Sequence, residues 1–220
     1  MYNDERLVVA VKPYGALSEK DEKKPNMPAM LSEALGCDEI YPVHRLDRTT
    51  QGLMVYAKTP EAAKRLSEMS QRGELKKVYL AVIQGEPEEP SGELRDLLFY
   101  DRRANKSYVV KRGRKGVKEA RLSYETLGVS EYDGNKISLL RIVLQTGRTH
   151  QIRAQFASRR TPLAGDRRYG SIIPCKNIML CSAELGFTHP FTGEELDFEF
   201  TPENELFGIW SFPSYGDVSI

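Results

Sequence analysis

The chain has 220 residues, 40% of them apolar, and a net charge of +1, which is enough for a sizeable core in one domain or two small ones. No apolar stretch approaches the ~18 residues of a membrane span, and the opening Met-Tyr-Asn-Asp-Glu-Arg sets acids where a secretory signal needs a basic region. Cys37, Cys175 and Cys181 are too few and too scattered for a disulfide framework or a zinc site, so reduced thiols and a cytoplasmic setting are expected.

Residues 7–11 form a short apolar run stopped by Lys12-Pro13-Tyr14-Gly15, a strand followed by a turn. Residues 18–26 read as a charged loop. A helix follows, with Pro28 in its first turn, Met30, Leu31 and Leu35 on one face, and Gly36 to close it. The apolar run Leu53-Met54-Val55-Tyr56-Ala57 lies between Gly52 and Thr59-Pro60 and reads as a strand. The next helix is capped by Thr59, has Pro60 at its first position and Ala62, Leu66 and Met69 on its inner face, and ends at Arg72-Gly73.

Residues 78–83 are continuously apolar, which suits a strand buried on both faces, and residues 86–92 form a Pro/Glu-rich connector. Residues 108–110, 120–127 and 137–144 read as further strands, with Asp133-Gly134 as the hairpin turn between the last two. Thr149 then opens a helix that turns Ile152 and Phe156 to the core and offsets Arg153 to one side. Strands outnumber helices and several are joined by turns. That pattern predicts an α+β fold, a single domain over residues 1–220 with a mixed, mainly antiparallel central sheet flanked by helices.

The near-zero net charge hides an uneven distribution. Residues 102–121 hold nine Lys or Arg against the single acid Glu119, while residues 184–220 hold eight acids and no Lys or Arg. The stretch His44-Arg45-Leu46-Asp47-Arg48 places one carboxylate among cations beside a core strand. Nearby positive charge keeps such a group ionised, fit to act as an acceptor or a nucleophile. The competing reading is a turn with surface ion pairs.

Residues 44–59, HRLDRTTQGLMVYAKT, resemble the catalytic motif of the RluA family of RNA pseudouridine synthases. Three further stretches match that family in order: KVYLAVIQG (residues 77–85), TGRTHQIR (146–153) and PLAGDRRYG (162–170). His189-Pro190-Phe191-Thr192-Gly193-Glu194 resembles the family's closing turn. The likeness runs from about Leu7 to about Pro202. It implies the pseudouridine synthase fold and an isomerase that needs no cofactor, redox partner or metal. It also implies Asp47 as nucleophile, Arg153 against it, and Tyr79 stacked on the uracil face with a hydroxyl available for proton transfer at C5.

On the same resemblance, Ile152 lines the pocket; Arg45, two residues before Asp47, shares its side if the segment is extended, and is expected to fill the gap left by a flipped base or hold its phosphate. Arg148 belongs to the substrate-binding set, and the basic run supplies Lys111, Arg112, Arg114 and Lys115 as RNA contacts. The expected partner is a stem-loop uridine of ribosomal or transfer RNA, met by a monomeric catalytic domain without the small N-terminal RNA-binding domain of many relatives. Gln51 and Gln155 depart from the family pattern, which has Ser and often His there. His44, His150 and His189 lack metal-ligand spacing, and structural hydrogen bonds are expected of His44 and His150. Two rival classes are a non-catalytic RNA-binding protein that kept the fold and a carboxylate hydrolase. The second needs a paired acid that no motif here offers to Asp47.

Overall fold

A computed structural model describes residues 2–203 and 205–210. The chain divides into two compact units. One is built from the chain up to Lys77 together with Cys181–Pro202, the other from Val78–Leu180 with Glu203 and residues that follow it.

The first unit carries strands β1 (Tyr2–Asn3), β2 (Leu7–Lys12), β3 (Tyr41–Pro42), β4 (Gln51–Ala57), β10 (Leu180–Thr188) and β11 (Glu195–Glu199). β1, β2 and β4 pair antiparallel in that order, β3 joins β4 antiparallel, and β4 runs parallel to β10, which pairs antiparallel with β11. Helices α1 (Met27–Leu35) and α2 (Pro60–Arg72) complete the unit. The α2 signals read from sequence are all in place. Thr59 accepts a bond from the Ala62 N–H, Pro60 starts the helix, and Gly73 closes it at φ 79°. Its inner face, Ala62, Leu66 and Met69, packs on Leu7 and Val9 of β2 and Leu53, Val55 and Ala57 of β4. Alternate residues of both strands thus face the helix, and burying a side chain such as Leu66 contributes about 2 kcal/mol.

Gly52 is fixed by that sheet. It stands at φ +126°, and a Cβ there would meet the Ser182 backbone oxygen at 2.3 Å, so only glycine lets β4 approach β10 this closely. α1 departs from its expected face. Met27, Pro28 and Leu31 are buried, while Met30 is 44% exposed, because Met27 and Leu31, four residues apart, set the inner face and Met30 lies to its side.

The second unit holds an antiparallel sheet in the order β5 (Lys76–Gln84), β9 (Asn135–Leu144), β8 (Val117–Tyr132), β6 (Ser91–Asp101), β7 (Lys106–Val110). Helix α3 (Gln151–Ser158) packs Ala154 against Leu98 of β6, Ala120 of β8 and Tyr169 of a short 3-10 turn, Arg167–Tyr169. The β8–β9 hairpin turns at Asp133 and Gly134, both at positive φ (50° and 69°), as the Asp-Gly pair predicts. The α+β class and the mixed, mainly antiparallel sheet stand as read from sequence. Five strands escape that reading: β6, β10, β11 and the two-residue β1 and β3. In β6 the inward positions 94, 96 and 98 include Asp96, so the apolar alternation is broken by a half-buried acid.

Candidate functional site

Asp47 lies in the first unit, in the irregular segment between β3 and β4 rather than at a strand end. That segment is pinned at several points. Leu46 is buried, its N–H donates to Ser18 Oγ (3.0 Å), and the Ser18 hydroxyl donates to the Leu46 carbonyl (2.8 Å). The Gly15 N–H bonds the Arg48 carbonyl (2.8 Å), and the Thr50 N–H bonds the carbonyl of Asp47 itself (2.9 Å). The half-buried Asp47 therefore sits on a backbone held by bonds that do not use its carboxylate. The loop of residues 18–26 joins this anchor, with Leu17 bridging to Pro25 and Met27 and Asn26 bonding back to Asp21 and Lys24.

Lys12, at the end of β2, is the residue that the sequence reading missed. Its side chain is fully buried, and its ammonium donates to the carbonyls of Pro13 (3.0 Å) and Ala16 (2.9 Å). Burial pushes its pKa down to about 8, and the charge of Asp47 opposes that fall. A buried ammonium that senses the Asp47 charge is an electrostatic partner for an ionised carboxylate. Arg45 is exposed and lies 3.6 Å from Glu19.

His44 holds the other end of the segment. Its Nε2 accepts a bond from the Val55 N–H at 3.2 Å, so the ring is neutral at that nitrogen. Burial, helped by the charge of Lys77, pushes its pKa down to about 3. The unfolded chain takes up a proton near pH 6.5 that the folded one refuses, so His44 contributes stability above pH 6.5. That contribution declines as pH falls from 6.5 toward 3. Between pH 7 and pH 4.5 it is worth about 2 kcal/mol. His44→Gln, which keeps an acceptor but does not titrate, should flatten the acid limb by that amount in urea melts at the two pH values. An equally steep limb in the variant would assign the acid sensitivity elsewhere.

The second unit holds Tyr79 and Arg153. Tyr79 is buried in β5 opposite Ile142 of β9. Arg153 is buried on α3, which begins at Gln151 rather than Thr149 because His150 takes a left-handed cap conformation at φ 53°. Two bonds fix the guanidinium on Asp166: Nε to Oδ2 at 2.6 Å and Nη2 to Oδ1 at 3.0 Å. Both side chains are at most 5% exposed. The Tyr169 ring lies under the guanidinium at 4.9 Å. Asp166 and Tyr169 thus aim Arg153, a positioning role not assigned to either from sequence.

The Tyr169 hydroxyl receives the Ser107 N–H (2.8 Å), lies 3.1 Å from the Ser107 carbonyl, and meets His150 Nδ1 at 3.1 Å. It therefore stands in for a neighbouring strand on β7. Ile152 is buried beside Arg153. Gln151 braces the preceding turn, accepting bonds from Thr146 (2.7 Å) and the Arg148 N–H (3.0 Å). Arg148 is exposed, with its Nε on the Glu119 carbonyl. Gln155 donates to Asp96 (2.7 Å) and ties α3 to β6. Lys111, Arg112, Arg114 and Lys115 are exposed between β7 and β8, and the Arg114 guanidinium covers the Phe99 ring at 4.4 Å. In the first unit His189 makes bonds to Asp4 and to the N–H groups of Phe191 and Thr192, which shape the turn before β11. Among the described residues no helix is long and apolar enough to cross a membrane.

Residues 6–158 match the family described as RNA pseudouridylate synthase. The chain is 31% identical to an uncharacterized RNA pseudouridine synthase of Aquifex aeolicus (strain VF5), covering 96% of this chain and 72% of that protein. It is 29% identical to the tRNA pseudouridine synthase C of Haemophilus ducreyi, covering 89% of this chain and 87% of that one. The solved structure of human RNA Pseudouridylate Synthase Domain Containing 1 is similar in fold, with a TM-score of 0.78 at 20% identity over 92% of this chain and 82% of that one. The match spans well over half of the chain and takes in Asp47, Tyr79 and Arg153, and on it the chain belongs to the RNA pseudouridylate synthase family and is an isomerase.

Proposed function

We propose that residues 1–220 act as one monomeric catalytic domain that converts a stem-loop uridine of transfer RNA to pseudouridine, with Asp47 as nucleophile. The reaction breaks the bond from ribose C1′ to uracil N1, turns the base, and joins C1′ to C5, whose proton leaves to solvent while N1 takes up a proton. It needs no net oxidation and no external group. Asp47 supplies the carboxylate that assists departure of the base. Tyr79 offers a ring to the uracil face and a hydroxyl for the C5 proton. Arg153 offers a planar fork that holds a carboxylate at any working pH, and Ile152 gives the pocket an apolar wall. Arg45 supports the flipped nucleotide, and Arg148, Lys111, Arg112, Arg114 and Lys115 meet RNA phosphates.

What supports this reading most is the setting of Asp47, a carboxylate on a pinned backbone whose charge acts on the buried Lys12 ammonium. Transfer RNA is preferred to ribosomal RNA because of the relatives named tRNA pseudouridine synthase C. The cytoplasm is the proposed compartment, in keeping with free thiols at Cys37, Cys175 and Cys181.

The substrate is tested by incubating the enzyme separately with unmodified transfer RNA and ribosomal RNA and mapping pseudouridine by carbodiimide adducts that stop reverse transcription. A single new stop in transfer RNA is expected. Stops confined to ribosomal RNA would overturn the choice of substrate while keeping the reaction.

A further inference from the structure

Folding brings two basic turns of the second unit together that are distant in sequence. Arg102 and Arg103 are exposed in the turn from β6 to β7, and Arg167 and Arg168 are exposed in the 3-10 turn after Asp166. The Arg168 guanidinium donates to the carbonyls of Ala104 (2.9 Å) and Asn105 (3.2 Å). Lys106 Nζ returns a bond to the Arg168 carbonyl (2.8 Å). The two turns are therefore one surface.

That surface carries five cations, and among the described residues none of them is paired with a carboxylate. The acids next to it in sequence are engaged elsewhere. Asp101 accepts from the backbone N–H groups of Arg103 and Ala104, and Asp166 is buried on Arg153. Like charges held this close repel one another, and a polyanion relieves that repulsion. The surface also has an aromatic face. Tyr108 is 43% exposed, and the Lys106 ammonium lies 5.5 Å from its ring centroid. The same ammonium stands 4.8 Å from the Tyr169 ring, against which Arg153 packs. The cationic surface thus begins at the side chain that aims Arg153.

We propose that Arg102, Arg103, Lys106, Arg167 and Arg168 hold RNA phosphates next to the reacting uridine, with Tyr108 as a stacking face for an unpaired base. This rests on the synthase reading and adds a second RNA contact to the one between β7 and β8. Among the described residues three of the five, Arg102, Arg103 and Arg167, make no bond through their side chains, whereas Arg168 and Lys106 join the turns.

The test is the variant R102Q/R103Q/R167Q, with unfractionated transfer RNA as the probe across a range of salt concentrations. Its Kd should rise about 10- to 100-fold at moderate salt, and the slope of log affinity against log salt should fall by about 2, with an unchanged melting temperature. R102Q and R167Q alone should each lower the slope by about 0.8. Unchanged affinity and slope in the folded variants would overturn the surface. Turnover is a separate readout: wild-type protein that binds RNA but makes no pseudouridine would overturn the synthase reading, and the salt slope would still decide the surface.

Discussion

Asp47→Asn is expected to lower single-turnover formation of pseudouridine by about 10,000-fold, the scale on which removing a reacting group commonly acts. The fold should survive the change. The segment around residue 47 is held by Ser18, by the Gly15 and Thr50 N–H groups, and by His44 on Val55, none of which uses the Asp47 carboxylate. Lys12 keeps its two carbonyl partners, although its pKa should drop below about 8 once the Asp47 charge that raises it is gone. The loss should appear in rate and not in RNA affinity, measured by nucleoside chromatography and by filter binding. A variant with at least a tenth of wild-type turnover would remove Asp47 from the reaction.

Asp166→Asn should cost about 3 kcal/mol of stability and most of the turnover. Removing one partner of a buried ion pair leaves the other charge poorly compensated. Arg153 then loses the carboxylate that accepts from both Nε and Nη2. Stability alone would not separate a structural pair from one that serves the reaction. The double variant Arg153→Met/Asp166→Leu makes that distinction, since apolar residues of similar volume commonly replace a buried pair at little cost. It should recover most of the melting temperature and remain inactive. Recovery of both would make the pair structural only.

The elements that sequence reading located are those whose signals are local. Thr59, Pro60 and Gly73 mark α2 within its own residues, and Asp133-Gly134 marks the β8–β9 turn. What was lost was decided by tertiary partners. β6 hides because Asp96 takes an inward position, which is tolerable only where Gln155 and Arg159 of a distant helix end meet it. Lys12 closes an apolar strand and looks like a surface lysine until the turn at Pro13 and Ala16 folds two carbonyls over it. Asp166 stood within a stretch already likened to the family, yet its role comes from Arg153, thirteen residues earlier and on another element. Of the candidate site, Asp47, Tyr79 and Arg153, whose roles are proposals, were named by resemblance to family motifs. The groups that aim and charge them were not, because no spacing in the chain announces them.

The most direct test uses RNA labelled with tritium at uracil C5, incubated with the wild-type protein and with Asp47→Asn. Joining C1′ to C5 expels the C5 hydrogen, so the wild type should release tritium to water in step with pseudouridine formed, and the variant should release none. Free uracil with its tritium retained would mean hydrolysis in place of isomerisation. That result, or equal release by both proteins, would contradict the account.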